Sequence, residues 1–160
     1  MAAKPPVQAD IIRNRKAYHE YHILEKYVAG LVLKGTEVKS LRMGRANFVD
    51  TYARIEKGEA WLYGLDIQPY PHASHNVQHE PRAPRKMLLH AKEIAELHAH
   101  ASTKGNTLVA LALFWDKGRC KVEIGAAKGK HVADKRHALK AKADKRESDR
   151  EMANFNRKQR

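Results

Sequence analysis

The chain has one cysteine, Cys120, among 160 residues. A single thiol excludes an internal disulfide framework and a Cys-rich zinc site. No apolar run approaches the ~20 residues a membrane-spanning helix needs, and Met1 to Asp10 lacks the apolar segment of a secretory signal. The expectation is a cytoplasmic protein with no membrane partner. There is no phosphate-cradling Gly-rich loop of the G-x-x-x-x-G-K-[ST] type and no G-x-S-x-G elbow. No catalytic residue and no cofactor is therefore assigned, and an enzyme is the minority reading. Acidic residues are also scarce. Eighteen Asp and Glu stand against 31 Lys and Arg, for a formal charge of +13. Hydrophobic residues make up 42%, enough for a folded core, so disorder along the whole chain is excluded. A charge this large on a small chain calls for a polyanionic partner, with nucleic acid ahead of an anionic membrane surface.

The charge is unevenly placed. Residues 1–127 carry 19 basic and 13 acidic side chains, whereas residues 128–160 carry 12 and 5. After Lys128-Gly129-Lys130 the large apolar residues almost vanish, leaving Leu139, Met152 and Phe155. This predicts a flexible N-terminus over residues 1–10, a compact domain over 11–127 and a basic tail over 128–160. The tail is rich in Ala, Lys, Arg and Glu, all helix formers, but has no apolar stripe to pack. It is expected to be disordered when free and helical on bound RNA, with Met152 a sparse apolar anchor.

The compact part reads as mainly β. Tyr21 to Leu33 is rich in β-branched and aromatic residues, with Gly30 a candidate bend or bulge. Two hairpins share a form, one turning at Lys57-Gly58 and the other at Lys117-Gly118. Thr36 to Met43 reads as a short helix, with Thr36 a candidate N-cap and Gly44 a stop. Leu88 to His100 reads as an amphipathic helix on Leu89, Ile94 and Leu97. Five strands with helices between them suggest a small closed barrel.

Gln68 to Arg85 holds Pro69, Pro71, Pro81 and Pro84, which break ladders and helices alike. A connection of that length marks a functional or mobile loop. Its His72, His75 and His79 give poor zinc geometry without Cys or a helical frame, so no metal is expected. Cys120 lies inside a predicted strand, the setting of an inert thiol. Glu37 is the one acid with the position of a general base, but no partner for it stands out.

The basic signals are stronger. Arg13-Asn14-Arg15-Lys16 precedes the first long strand, and Lys39, Arg42 and Arg45 recur three apart, with Tyr18 and Tyr21 nearby. Together they read as a phosphate-contacting surface. RNA fits better than duplex DNA, because no helix here reads as a major-groove probe.

The motifs Asn14-Arg-Lys-Ala, Ala29-Gly30, Gly35-Thr-Glu-Val-Lys-Ser-Leu-Arg42 and Gly44-Arg-Ala-Asn47 recur in one known family. So do Gly58-Glu-Ala-Trp-Leu62, Pro69-Tyr-Pro71, Arg85-Lys-Met-Leu-Leu-His90, Lys121-Val-Glu-Ile-Gly125, Ala127-Lys-Gly-Lys130 and Asp134-Lys-Arg136. In this order, over about residues 12–150, the chain resembles small protein B, the bacterial partner of transfer-messenger RNA. The resemblance implies an oligonucleotide-binding-type barrel with an extra helix and a C-terminal tail. It implies a non-catalytic adaptor that binds the tRNA-like end of transfer-messenger RNA. The adaptor brings this RNA to the A site of stalled ribosomes in trans-translation. Carried over by position, Asn14, Glu37, Lys39 and Leu88 face the RNA, with Arg15, Arg42 and Arg45 nearby. Gly129, Lys130, His131, Asp134, Lys135, Arg136 and Met152 would serve the tail in the decoding centre and mRNA channel. A monomer is expected.

Two positions depart from the family pattern, Val28 where an acid is usual and Ala133 where a larger stacking side chain is usual. For Glu37, the residues alone leave open a second role, as an internal partner for Lys or Arg. A structural RNA-binding protein of the ribosome or its assembly is the alternative function, and a metal-dependent nuclease a distant third.

Overall fold

A computed structural model describes residues 10–158. Of the expected flexible N-terminus, all but Asp10 lies outside the described residues. The chain divides into two compact units, one ending at Gly129 and the other beginning at Lys130. The change of composition at Lys128 falls two residues before this boundary.

In the first unit the elements run β1 (Asp10–Arg13), α1 (Arg15–Glu20), β2 (Tyr21–Leu31), α2 (Gly35–Arg42), β3 (Ala46–Glu56) and β4 (Glu59–Ile67). A single 3-10 turn at His75–Val77 interrupts the proline-rich loop. Then follow β5 (Arg85–Leu88), α3 (Ala91–Ala101), β6 (Asn106–Asp116) and β7 (Arg119–Gly129). Strands β6-β3-β4-β5-β2-β7 pair in that order, and β7 pairs back with β6, closing a six-strand barrel. Strand β1 joins the outer edge of β6, with Arg13 opposite Ala112. Closure removes the unpaired edges that would invite aggregation.

Alternation fills the interior. Ala60, Leu62, Leu65 and Ile67 of β4, Met87 of β5 and Val122 and Ile124 of β7 are all buried and meet in one cluster with Leu97 of α3. Burying the Leu, Ile, Val and Met side chains among these is worth roughly 1.5–3 kcal/mol each. Both hairpins turn on two consecutive positive-φ residues, Lys57 (51°) with Gly58 (75°) and Lys117 (48°) with Gly118 (76°). This is the twist-matched turn that the Lys-Gly pairs predict. Glycine is obligatory at Gly64 for a different reason. A Cβ there would lie 2.5 Å from the Val49 carbonyl oxygen, on the bulged stretch of β3 between Phe48 and Tyr52.

The structure corrects four local expectations. The bulge in β2 lies between Ile23 and Glu25, while Gly30 pairs regularly with Lys121 and Leu88. Helix α2 starts at Gly35 with Lys34 as its N-cap, two residues ahead of Thr36. Helix α3 starts at Ala91, because Leu88 belongs to β5. The barrel has six strands in place of five, since β5 has only four residues, too few for alternation to register.

The second unit is helix α4 (Val132–Lys158), 27 residues long. At ~1.5 Å per residue it spans roughly 40 Å. Asp134 sits in its first turn and accepts from the His131 backbone N–H at 3.4 Å, a favourable carboxylate at the positive end of the helix. Leu139, Met152 and Phe155 are all exposed.

Candidate nucleic-acid interface

Helix α2 sorts its residues by spacing. Glu37, Ser40 and Leu41 point inward and are buried, which turns Lys39 and Arg42 outward. Glu37 is only 4% exposed. One carboxylate oxygen accepts from the Lys34 backbone N–H at 2.7 Å, closing the first turn of the helix. The other accepts from Arg85 Nε at 2.8 Å. Arg85, 3% exposed, also donates to the carbonyls of Leu65, Ala83, Glu80 and Pro81. Of the two roles open for Glu37, this geometry is that of the internal partner, because both carboxylate oxygens are engaged inside the fold. Arg85 is a residue that the sequence reading missed. Its signal was an arginine directly after the proline-rich stretch, ahead of an alternating strand.

The outward side of α2 is uncompensated cation. Among the described residues, no carboxylate pairs with Lys39, Arg42 or Arg45. Lys39 Nζ instead lies 5.3 Å from the centre of the Tyr70 ring, and the Arg42 guanidinium 6.0 Å from that of Trp115. Arg45 Nε donates to Gln68 Oε1 at 3.2 Å. These neutral partners hold the side chains in place and leave the charge available to phosphate.

Leu88 is 56% exposed. It borders an open groove of about 610 Å³ lined also by Val28, Gly30, Trp115 and Lys121. Val28 adds an exposed apolar wall to this groove.

Asn14 and Arg15 lie elsewhere on the barrel. The Asn14 side chain accepts from the Ala17 N–H at 3.1 Å, capping α1, and donates to the Ala110 carbonyl at 2.9 Å. Its amide is therefore occupied in fixing α1 to β6, while the neighbouring Arg15 is exposed and unpaired among the described residues. Ala110 and Trp115 are five residues apart on β6, so Asn14 and Arg42 meet that strand at points roughly 17 Å apart. Near α1, Lys26 lies over the Tyr18 ring at 5.3 Å. A hydrogen bond with Tyr18, helped by the Glu123 carboxylate, raises the Lys26 pKa despite partial burial, so its charge is secure.

The remaining candidates divide between the interior and the surface. His79 is 3% exposed, with Nδ1 2.9 Å from Thr36 Oγ1 and Nε2 2.9 Å from the Ile67 carbonyl. His72 and His75 are exposed, and no group of three metal-ligating side chains comes together among the described residues. Burial pushes the Cys120 thiol up to about 12, which keeps it protonated and unreactive near neutral pH. Gly129 closes β7 opposite Tyr21, so this glycine of the expected tail belongs to the barrel. In the second unit, Lys130, Asp134 and Lys135 are half-buried, whereas His131, Arg136 and Met152 are exposed.

Three comparisons bear on this arrangement. The family described as SmpB protein matches residues 11–154. The chain belongs to the SmpB family. An SsrA-binding protein of Syntrophobacter fumaroxidans is 55% identical over 140 residues, covering 88% of this chain and 86% of the relative. One from Aquifex aeolicus is 51% identical over 143 residues, covering 89% and 90%. A chain from a solved tmRNA-SmpB structure, concerned with the centre of the bacterial ribosome, superposes with a TM-score of 0.64 at 46% identity. It covers 76% of this chain and 85% of that one. For an SmpB family member, the closed barrel with its added helices is the fold that the sequence resemblance implies.

The Glu37–Arg85 pair makes a prediction of its own. Glu37→Ala would strand a guanidinium whose side chain is 2% exposed. Breaking a buried pair on one side costs ~3–5 kcal/mol. Chemical denaturation is expected to show a loss of that order, and the double change Glu37→Ala with Arg85→Met is expected to recover part of it. An unchanged midpoint in the single variant would mean the pair contributes nothing.

Proposed function

We propose that the chain binds the tRNA-like domain of transfer-messenger RNA and delivers it to the A site of stalled ribosomes for trans-translation. The observation that carries this reading is the set Lys39 and Arg42 on the outward side of α2 with Arg45 just beyond its end, three cations with no carboxylate partner among the described residues. Membership in the SmpB family and the likeness to a tmRNA-SmpB structure support RNA of this kind as the polyanion. Leu88 and the groove beside it supply an apolar contact for sugar or base next to the phosphate-seeking cations. Asn14 and Glu37 act as positioning residues for α1 and α2, and Arg15 adds a second phosphate contact.

Helix α4 is the ribosome-facing element in this proposal. Without a packed face its helix is expected to be unstable on the free protein and to be held along the vacant mRNA channel, with Lys130 and His131 before it and Lys135 and Arg136 within it on ribosomal RNA and Met152 as an apolar anchor. Its composition supports this, since every side chain described beyond Arg136 is exposed and nothing within the helix offers a packed face.

The identity of the RNA that co-purifies with the tagged protein tests the reading. One dominant transfer-messenger RNA, retained at moderate salt, is the expected result. Intact ribosomal particles without it would instead favour a structural protein of the ribosome.

A further inference from the structure

The proline-rich loop, residues 68–84, is tethered to helix α2 and to the turn that follows it. At its start, the Gln68 backbone N–H donates to the Arg45 carbonyl at 3.0 Å, beside the Arg45–Gln68 side-chain contact. At its end, the Arg85 fork gathers the carbonyls of Glu80, Pro81 and Ala83 while its Nε holds Glu37 of α2. His79 enters the interior and joins Thr36 of α2 to the Ile67 carbonyl. A loop of this length with four prolines and four separate tethers is a fixed part of the surface.

What the loop fixes most closely is Tyr70. The Gln78 side-chain amide accepts from the Tyr70 backbone N–H at 3.0 Å and donates to its carbonyl at 2.8 Å. His72 meets the ring edge-on, with centroids 5.4 Å apart and planes at 72°. Lys39 lies over the ring, and the phenol has no hydrogen bond to any described residue. The half-buried ring is thus oriented by neighbours that use its backbone and edge, with the Lys39 ammonium over it.

We propose that Tyr70 is an RNA contact, a stacking surface for an unpaired nucleobase. The loop is its mount, and Lys39 leaves the ring for an adjacent phosphate when the base arrives. This rests on the reading of α2 as an RNA-binding face and names a site on that face. The chemistry is that of single-stranded recognition, in which an aromatic ring takes a base while a neighbouring cation takes its phosphate. Base–aromatic stacking is worth enough that loss of the ring weakens binding by on the order of tenfold. Arg85 and His79 are positioning residues, acting through the loop.

The test uses the full chain and an RNA of the tRNA-like type with unpaired loops, with affinity measured across a range of salt. Tyr70→Ala is expected to lose on the order of tenfold in affinity with an unchanged salt slope, because a stacked ring releases no counterion. Tyr70→Phe is expected to bind as the parent does, and both variants to melt near the parent temperature. Quenching of Tyr70 fluorescence by added RNA, read in a variant retaining that tyrosine alone near α2, should accompany binding. Full affinity in Tyr70→Ala, alongside a Lys39→Ala, Arg42→Ala protein that binds weakly, would overturn the stacking site and leave the RNA-binding face standing. Absence of salt-dependent RNA binding by the parent chain would overturn both. Loss in Tyr70→Phe equal to that in Tyr70→Ala would assign the effect to the phenol and reject stacking.

Discussion

A chain ending at Lys130 is expected to keep its affinity for transfer-messenger RNA while peptide tagging on stalled ribosomes falls to background. All the barrel strands and the α2 cations lie before that point, and the first compact unit ends at Gly129. The truncation removes a 27-residue helix that holds most of the basic side chains found after residue 127. Losing those charges should not unfold the barrel, because among the described residues the buried clusters run from Ala17 to Ala127. Replacing Asp134, Lys135 and Arg136 with Ala should move tagging in the same direction, through lost phosphate contacts and a lost carboxylate at the helix start. Circular dichroism of the isolated tail, with little helix alone and more on ribosomal RNA, would support coupled folding. Full tagging by the truncated chain would reduce the tail to generic counter-charge.

Neutralising Lys39 and Arg42 together is expected to have the largest effect on RNA binding. Each is a cation held over an aromatic ring and unpaired with any carboxylate among the described residues. Two phosphate contacts correspond to a fall of roughly 1.5 in the log–log salt slope. Affinity at low salt should drop on the order of tenfold or more. Stability should hold, since both side chains are exposed and neither joins the buried clusters. An unchanged slope would place the RNA on another face, with the Arg15 and Lys16 side of α1 the next to examine. This variant also separates the α2 surface from the Glu37–Arg85 pair beneath it. Changes above the helix should alter binding alone, whereas changes below it should alter stability first.

Much of this protein was legible in the order of its residues. The β-rich composition, the two Lys-Gly turns and the break in composition after Lys128 are local properties, set by strand propensity, left-handed turn conformations and apolar content. The outward placement of Lys39 and Arg42 follows from the helical period. Strand β5 escaped because four residues after a proline-rich stretch carry too little alternation, and its place is decided by pairing with β2 and β4. The bulge at Ile23–Glu25, in place of Gly30, likewise depends on register with β7.

The site divides along the same line. The sequence alone determined the β-rich architecture, the excess of positive charge and the family, because these depend on strand propensity, composition and motif order. Tertiary structure alone decided that Glu37 faces Arg85, 48 residues away, and that Asn14 spends its amide on Ala110, 96 residues away. It also decided that the proline-rich loop is a rigid mount, through His79, Gln78 and the Arg85 fork. Periodicity states which side of an element is buried, but the partner a buried polar group meets depends on how distant segments close around it.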